Sequence, residues 1–390
     1  MAARRKAAGK GSMERAKKQK KRMANMEALR LLAMMMVVSL HYLGKGELLV
    51  NLTEPLLPRD YAAWLLECFS IAAVDVYILI SGYFLVETKF RVRRLISLVL
   101  QILFYSCLIP VILVLTGRLS VSELTLYDIW QCIFPINMNQ YWFMSAYVLM
   151  FLFVPVLNAA AHALKKEQFQ VVIILLLAVE SLSKTVIPAR LVLDNEGYDA
   201  LWFMVVYLIA AYIRLYGIPF LEEKNRAAYL YILTCLGIYA LLMAIRGMYL
   251  FTGRFEDFMS APTGYNHLLT IGAAVALFYA FKNWRFGEKQ SRPGTIICRT
   301  APYSLGVYLL HEQIYVRYEW PFLLGAGRCT SVASLAGHWI AAILIVMVCG
   351  LAVDFCRDVL FRSGGKLLAG SGLDRMLQKV DDRVNGSTAT

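Results

Sequence analysis

MEALRLLAMMMVVSLHYLGK, residues 26–45, decides the fold class. Twenty residues of helix rise about 30 Å, the thickness of a bilayer's hydrocarbon core. The run has no convincing small-residue cleavage site and continues to full length, so it reads as a first membrane span rather than a removable leader. Further apolar runs at 95–116, 141–157, 226–245 and 336–356 are each nearly long enough to cross. Bulk composition agrees. The chain is 59% hydrophobic and 17% charged, whereas a soluble domain of this size needs about a quarter of its residues charged.

Working outward, about ten spans emerge, at 26–45, 62–86, 95–116, 140–158, 168–188, 199–217, 227–250, 265–283, 302–318 and 336–358. The expected fold is all-α, a polytopic integral membrane protein. The net charge of +13 does not point to nucleic acid, because ten of the forty Lys and Arg fall in residues 4–22, ahead of the first span. Thirty lie on one side of the expected bundle and seven in the opposite loops. By the positive-inside rule both termini are then cytoplasmic. Residues 1–25 read as a basic, disordered tail able to meet anionic lipid headgroups. Residues 26–362 form the membrane domain, and 363–390 a cytoplasmic C-terminal tail. The eight cysteines are scattered, without a CxxC pair, and read as small buried hydrophobes.

Ionisable residues inside spans are costly in a bilayer and therefore point to function. Arg30 and His41 are eleven residues apart. At about 100° per residue they differ by roughly 20° around the helix and by about 16 Å along it. One helix face thus carries a guanidinium near the cytoplasmic boundary and an imidazole deeper in. The first suits a phosphate or carboxylate, and the second suits proton transfer near neutral pH. A snorkelling arginine and a histidine satisfied by a helix neighbour are the plainer alternatives.

Other spans add weaker signals. Asp75 is a buried carboxylate, and Ser81-Gly82 is a small step suited to close helix packing. The loop Lys89-Phe-Arg91-Val-Arg93-Arg94 is either a topology anchor or a landing site for a polyanion. Tyr141-Trp142 belongs to an interfacial aromatic belt or stacks on a sugar. Ser304, Tyr308 and His311 fall at i, i+4 and i+7, a polar stripe that must face protein or a cavity. Glu180 and Lys184 read as a structural ion pair. His162, His267 and His338 lack ligand spacing, and no metal motif is present.

Taken together, these residues resemble the membrane-bound acyltransferase-3 family, which includes bacterial cell-surface glycan O-acetyltransferases. The resemblance runs from about Glu27 to Arg362. It rests first on Arg30-x10-His41, then on Ser81-Gly82-Tyr83, Arg93-Arg94, Tyr141-Trp142-Phe143 and Ser304-Leu-Gly-Val-Tyr308-Leu-Leu-His311. It implies transfer of an acyl group, usually acetyl from cytoplasmic acetyl-CoA, to a hydroxyl of a cell-surface or lipid-linked glycan. It also implies a multi-pass protein of the cytoplasmic (plasma) membrane, with acyl-CoA as co-substrate and no permanently bound cofactor.

By the same resemblance His41 is the catalytic histidine, as general base or acyl carrier. Arg30 is placed with it in the catalytic pair and also helps hold the donor, near Ser81, Gly82, Arg93 and Arg94. Tyr141, Trp142, Ser304, Tyr308 and His311 are candidates for the central cavity and the acceptor. The rival reading is a proton-coupled transporter or flippase of an envelope precursor, since carriers also bury ionisable groups at mid-membrane.

Overall fold

The computed structural model describes residues 23–187, 194–223, 225–284, 291–368 and 372–386. The basic tail up to residue 22 lies outside the described residues, as do Arg190, Lys224, Arg285 and Lys289 of the charge count. Helices and turns make up the described residues, with no strand among them. In chain order the main helices are α1 (Ala24–Lys45), α2 (Pro58–Ser70), α3 (Ala73–Leu85), α4 (Val92–Leu115), α5 (Trp142–Ala163) and α6 (Lys166–Leu177). They continue with α7 (Ala200–Leu215), α8 (Arg226–Thr252), α9 (Leu268–Lys282), α10 (Ser304–His311), α11 (Val332–Leu368) and α12 (Gly372–Val384).

Eight helical runs among the described residues are long and apolar enough to cross a bilayer. In these, α2 and α3 join as one, and α6 continues to Val186 through a turn of π-helix at Ala178–Leu182. α7 is apolar but shorter. The chain is a polytopic α-helical membrane protein.

The departure from the sequence expectation is the span placed at 302–318. The helical run instead starts at Arg292, passes through a 3-10 turn at Ala301–Tyr303, and ends with α10 at His311. Residues 312–319 are turns and bends. The physical reason lies in the residues there. His311, Glu312 and Gln313 are 3%, 3% and 0% exposed, and non-helical backbone at membrane depth is tolerated only where it is buried in protein or lines a cavity.

Burial separates centre from periphery. In α1, 67% of the apolar window is buried, against 22% in α8. On α11, Ile340, Leu344 and Val348 are exposed at a spacing of four residues, an apolar stripe that suits lipid rather than water. α1 packs against α2, α3, α9, α10, α11 and the helix Arg292–Thr300. Its first turn is tied down by Asn25, whose Nδ2 donates to the carbonyls of Phe281 (2.9 Å) and Lys282 (3.2 Å). Those carbonyls end α9 and have no partner within the helix.

α10 is locked to α11 by small residues. A Cβ on Gly306 would overlap the Asp354 side chain, and one on Gly350 would come within 2.6 Å of the Val307 Cα. Asp354 is fully buried and accepts hydrogen bonds from Gln101 (2.9 Å), Tyr105 (2.9 Å) and Arg357 Nε (2.8 Å). The segment read as the C-terminal tail contains α12, held against the start of α4. Asp381 accepts from the Val92 amide at 2.7 Å, and Asn385 brackets the backbone of Phe90 at 3.0 and 2.9 Å.

Candidate active site

His41 lies on the last turns of α1 and His311 ends α10. The two rings are joined directly, with His41 Nδ1 and His311 Nε2 2.8 Å apart. His311 Nδ1 donates to the Val307 carbonyl one turn back, at 2.6 Å. On the other side, His41 Nε2 is 3.0 Å from Glu312 Oε2. Lys45, one turn beyond His41, forms an ion pair with Glu312 Oε1. Arg317 adds a further positive charge acting on both His41 and Lys45.

This line of groups has a fixed proton count. The Val307 carbonyl can only accept, so His311 Nδ1 carries a proton. One proton must then lie between the two rings and another between His41 and Glu312. Three protons in all can be written as a neutral pair of histidines beside a protonated Glu312. They can equally be written as an imidazolium at His41, or at His311, beside a carboxylate. The three forms differ only by shifts of protons along existing hydrogen bonds. Such a relay can take a proton at its His41–Glu312 end, share the charge among the three groups and give the proton back at that same end.

A narrow cavity of about 50 Å³ opens beside His41, with Met34, Val37, Tyr77, Phe143 and Tyr308 among its walls. It follows the face of α1 that leads back toward Arg30. Tyr77 marks the path: its hydroxyl donates to the Arg30 carbonyl at 2.9 Å and is hydrogen-bonded with Ser304. Arg30 Nη1 meets Glu27 Oε2 at 2.6 Å. The Tyr147 hydroxyl donates to Ser81 Oγ at 3.3 Å and feels the charges of both Arg30 and Arg94. Thus Arg30, Ser81 and Arg94 gather around Tyr147, with Arg93 exposed on the same turn as Arg94.

The other sequence-selected residues divide between lining and bracing. Trp142 and Tyr308 line the His41 cavity. Tyr141 packs behind the wall residue Tyr308, ring centroids 6.0 Å apart, and braces α10, donating to the Leu309 carbonyl at 3.1 Å. Gly82 is a packing residue, since a Cβ there would sit 2.8 Å from that of Ala210 on α7. Asp75 is fully buried and accepts from Trp202 Nε1 at 2.9 Å.

Glu312 and Lys45 were missed by the sequence reading. The signal was available, because a carboxylate closing the apolar run SLGVYLLHE is as costly in a bilayer as the histidine beside it. The expected Glu180–Lys184 pair does not form. The π-turn at Ala178–Leu182 shifts the helix phase, and Lys184 Nζ turns to Asp194 (2.8 Å) and Glu196 (3.1 Å). Asp194 lies outside the spans. Partial burial alone would raise its carboxyl, but hydrogen bonds from Lys184 and Asn266 hold it below the usual carboxylate range.

No curated protein and no solved structure matches the chain. A family model for an acyltransferase domain, however, matches residues 23–357, a stretch that includes Arg30, His41, His311 and Glu312. The chain belongs to the acyltransferase-3 family.

Proposed function

We propose that this acyltransferase moves an acyl group, acetyl in the simplest case, from cytoplasmic acyl-CoA to a hydroxyl of a cell-surface or lipid-linked glycan. The site is the cytoplasmic (plasma) membrane, and both chain termini face the cytoplasm. The observation that carries the reading is His41, held between Glu312 and His311 beside a narrow cavity that leads toward Arg30. CoA phosphates cannot enter lipid, so Arg30, Arg93 and Arg94 hold the nucleotide end near Ser81 while the thioester arm follows α1 inward. The acceptor hydroxyl loses its proton to His41 as its oxygen attacks the thioester carbon. The carbon–sulfur bond breaks, and the relay returns the proton to the departing thiolate, so that ester and free CoA leave in balance.

His41 Nδ1 is committed to His311, so Nε2 is the nitrogen that takes the proton. Glu312 must release that nitrogen for the acceptor by swinging away with the shared proton, as the neutral acid, and the Lys45 ammonium is placed to donate to its carbonyl oxygen when it does. Replacing His41 by Ala in membranes should abolish acceptor-dependent CoA release while leaving the protein inserted at normal level. A variant that still acylated at the normal rate would overturn the assignment.

A further inference from the structure

We propose that a second cavity, formed by the segments after α1 and around residues 194–198 and 256–261, is the acceptor site, and that it takes an amine-bearing saccharide. The inference rests on the acyl-transfer reading and names the substrate class for it. The cavity has a volume of about 660 Å³, in the range that encloses a drug-sized ligand. Trp64 and Tyr198 supply aromatic surface to it, Asn195 and Ser260 supply hydrogen-bonding groups, and Glu256 and Asp257 supply exposed carboxylates.

Position ties this cavity to the chemistry. The Tyr198 ring packs on Trp142 and Tyr265, with centroids 4.4 and 4.7 Å away. Trp142 and Tyr265 are themselves walls of the His41 cavity. An aromatic wall, Tyr198 on one side packed on Trp142 and Tyr265 on the other, therefore separates the two spaces. The larger cavity borders Leu49 and Asn51, just past the His41 end of α1 and at the opposite end from Arg30. A donor approaching from one side and an acceptor held on the other would meet at His41.

Charge selects the ligand. Among the described lining residues, Asp194, Glu196, Glu256 and Asp257 face the single ammonium of Lys184. Arg190, in the connection outside the described residues, leaves the sum negative wherever it lies. A concave wall of one sign concentrates counter-charge and repels like charge. Two buried polar groups behind the wall are incompletely paired. Glu67 is one turn from Trp64 along α2, is 9% exposed, and its Oε2 has no hydrogen-bond partner among the described residues. Its carboxyl lies near both Tyr198 and Tyr265. Asn266 is 2% exposed and bonds Asp194 through Nδ2 at 2.7 Å, while its Oδ1 has no partner among the described residues. The unmet amide oxygen of Asn266 calls for a donor, which ammonium and hydroxyl groups supply and uronate or phosphate groups do not.

The test uses the full chain in lipid nanodiscs and three tetrasaccharide probes: a glucosamine tetramer, a cellotetraose and a galacturonate tetramer. Intrinsic tryptophan fluorescence reports binding, with Trp64→Phe as the control that removes the signal. The glucosamine tetramer should bind at least tenfold more tightly than the galacturonate tetramer. Glu256→Lys with Asp257→Lys, both at exposed positions, should cancel or reverse that order. The same double variant should raise the acceptor KM for CoA release from native membranes several-fold with the acyl-CoA KM unchanged. Equal binding of the three probes, or a double variant with the wild-type order and acceptor KM, would overturn the proposal. That failure is separate from failure of the acyl-transfer reading, which shows as undiminished transfer by His41→Ala.

Discussion

His41 Nδ1 and His311 Nε2 are 2.8 Å apart although 270 residues separate them in the chain. Each ring is oriented by a group on its far side, Glu312 for one and the Val307 carbonyl for the other. Rotation of either ring breaks a hydrogen bond at both ends. A proton-transfer group needs that restraint, because the productive tautomer is set by what the second nitrogen does.

On the proposed mechanism His311 positions His41. His311→Ala should lower kcat by roughly 10²- to 10⁴-fold, the range lost when a general base loses its function or its orientation. The acyl-CoA KM should stay within about twofold of wild type, an expectation drawn from the site's distance from the donor groups. His311→Gln, which can still offer an acceptor to His41 Nδ1, should recover part of the rate. Steady-state CoA release in membranes measures all three, and a wild-type kcat in His311→Ala would remove His311 from the relay.

Glu312→Gln tests the other end. A carboxamide can hydrogen-bond His41 but cannot accept or return a proton, and it leaves Lys45 without its anion. A kcat loss of roughly 10²-fold or more is expected, together with a changed pH profile of kcat. Glu312→Asp should keep the pH profile at reduced rate. A full rate from Glu312→Gln would show that the carboxylate only fills space.

Arg30 acts about 16 Å from His41 along α1, so its loss should register in donor use. Arg30→Ala is expected to raise the acyl-CoA KM about tenfold, equivalent to about 1.4 kcal/mol. Arg30→Lys should fall between, because an ammonium lacks the guanidinium fork. An unchanged donor KM would leave Arg30 with only its contact to Glu27.

The residues legible in the sequence were those whose relation is set by one helix. Arg30 and His41 share a face of α1, and Ser304, Tyr308 and His311 share a face of α10, because 3.6 residues per turn puts them there. Glu312 escaped because it lies one residue past the helical stripe, and its approach to His41 depends on how α10 packs on α1. The Glu180–Lys184 pair failed because a π-turn broke the periodicity on which it rested. The larger cavity draws on residues as far apart as Leu49 and Ala261, and no local pattern joins them. The span expected at 302–318 slid toward the N-terminus because apolarity alone does not distinguish a crossing helix from a turn buried around polar groups.

Gly306 offers a test of the scaffold independent of chemistry. Its missing side chain lets α10 lie against Asp354, which itself gathers Gln101, Tyr105 and Arg357. Gly306→Ala should destabilise the protein by about 1–3 kcal/mol, as overpacking does in a tight core. The readout is a lower melting temperature in detergent, and an unshifted melt would mean that α10 can move away from α11 without cost.

The wall of the larger cavity should respond to acid through Asp194. Its carboxyl is held below the usual range by Lys184 and Asn266 against the opposing effect of burial. A depressed folded-state pKa contributes stability that is present above the unfolded value, about 3.9, and is lost as pH falls through the folded value. Asp194→Asn removes that charge and leaves the buried Lys184 with Glu196 alone. At pH 7 the variant should melt below wild type in detergent. The gap should hold down to about pH 4 and close below it, as the wild-type carboxylate takes up its proton. A gap that persisted unchanged at pH 3, or none at pH 7, would show that the Lys184–Asp194 pair does not stabilise the folded chain.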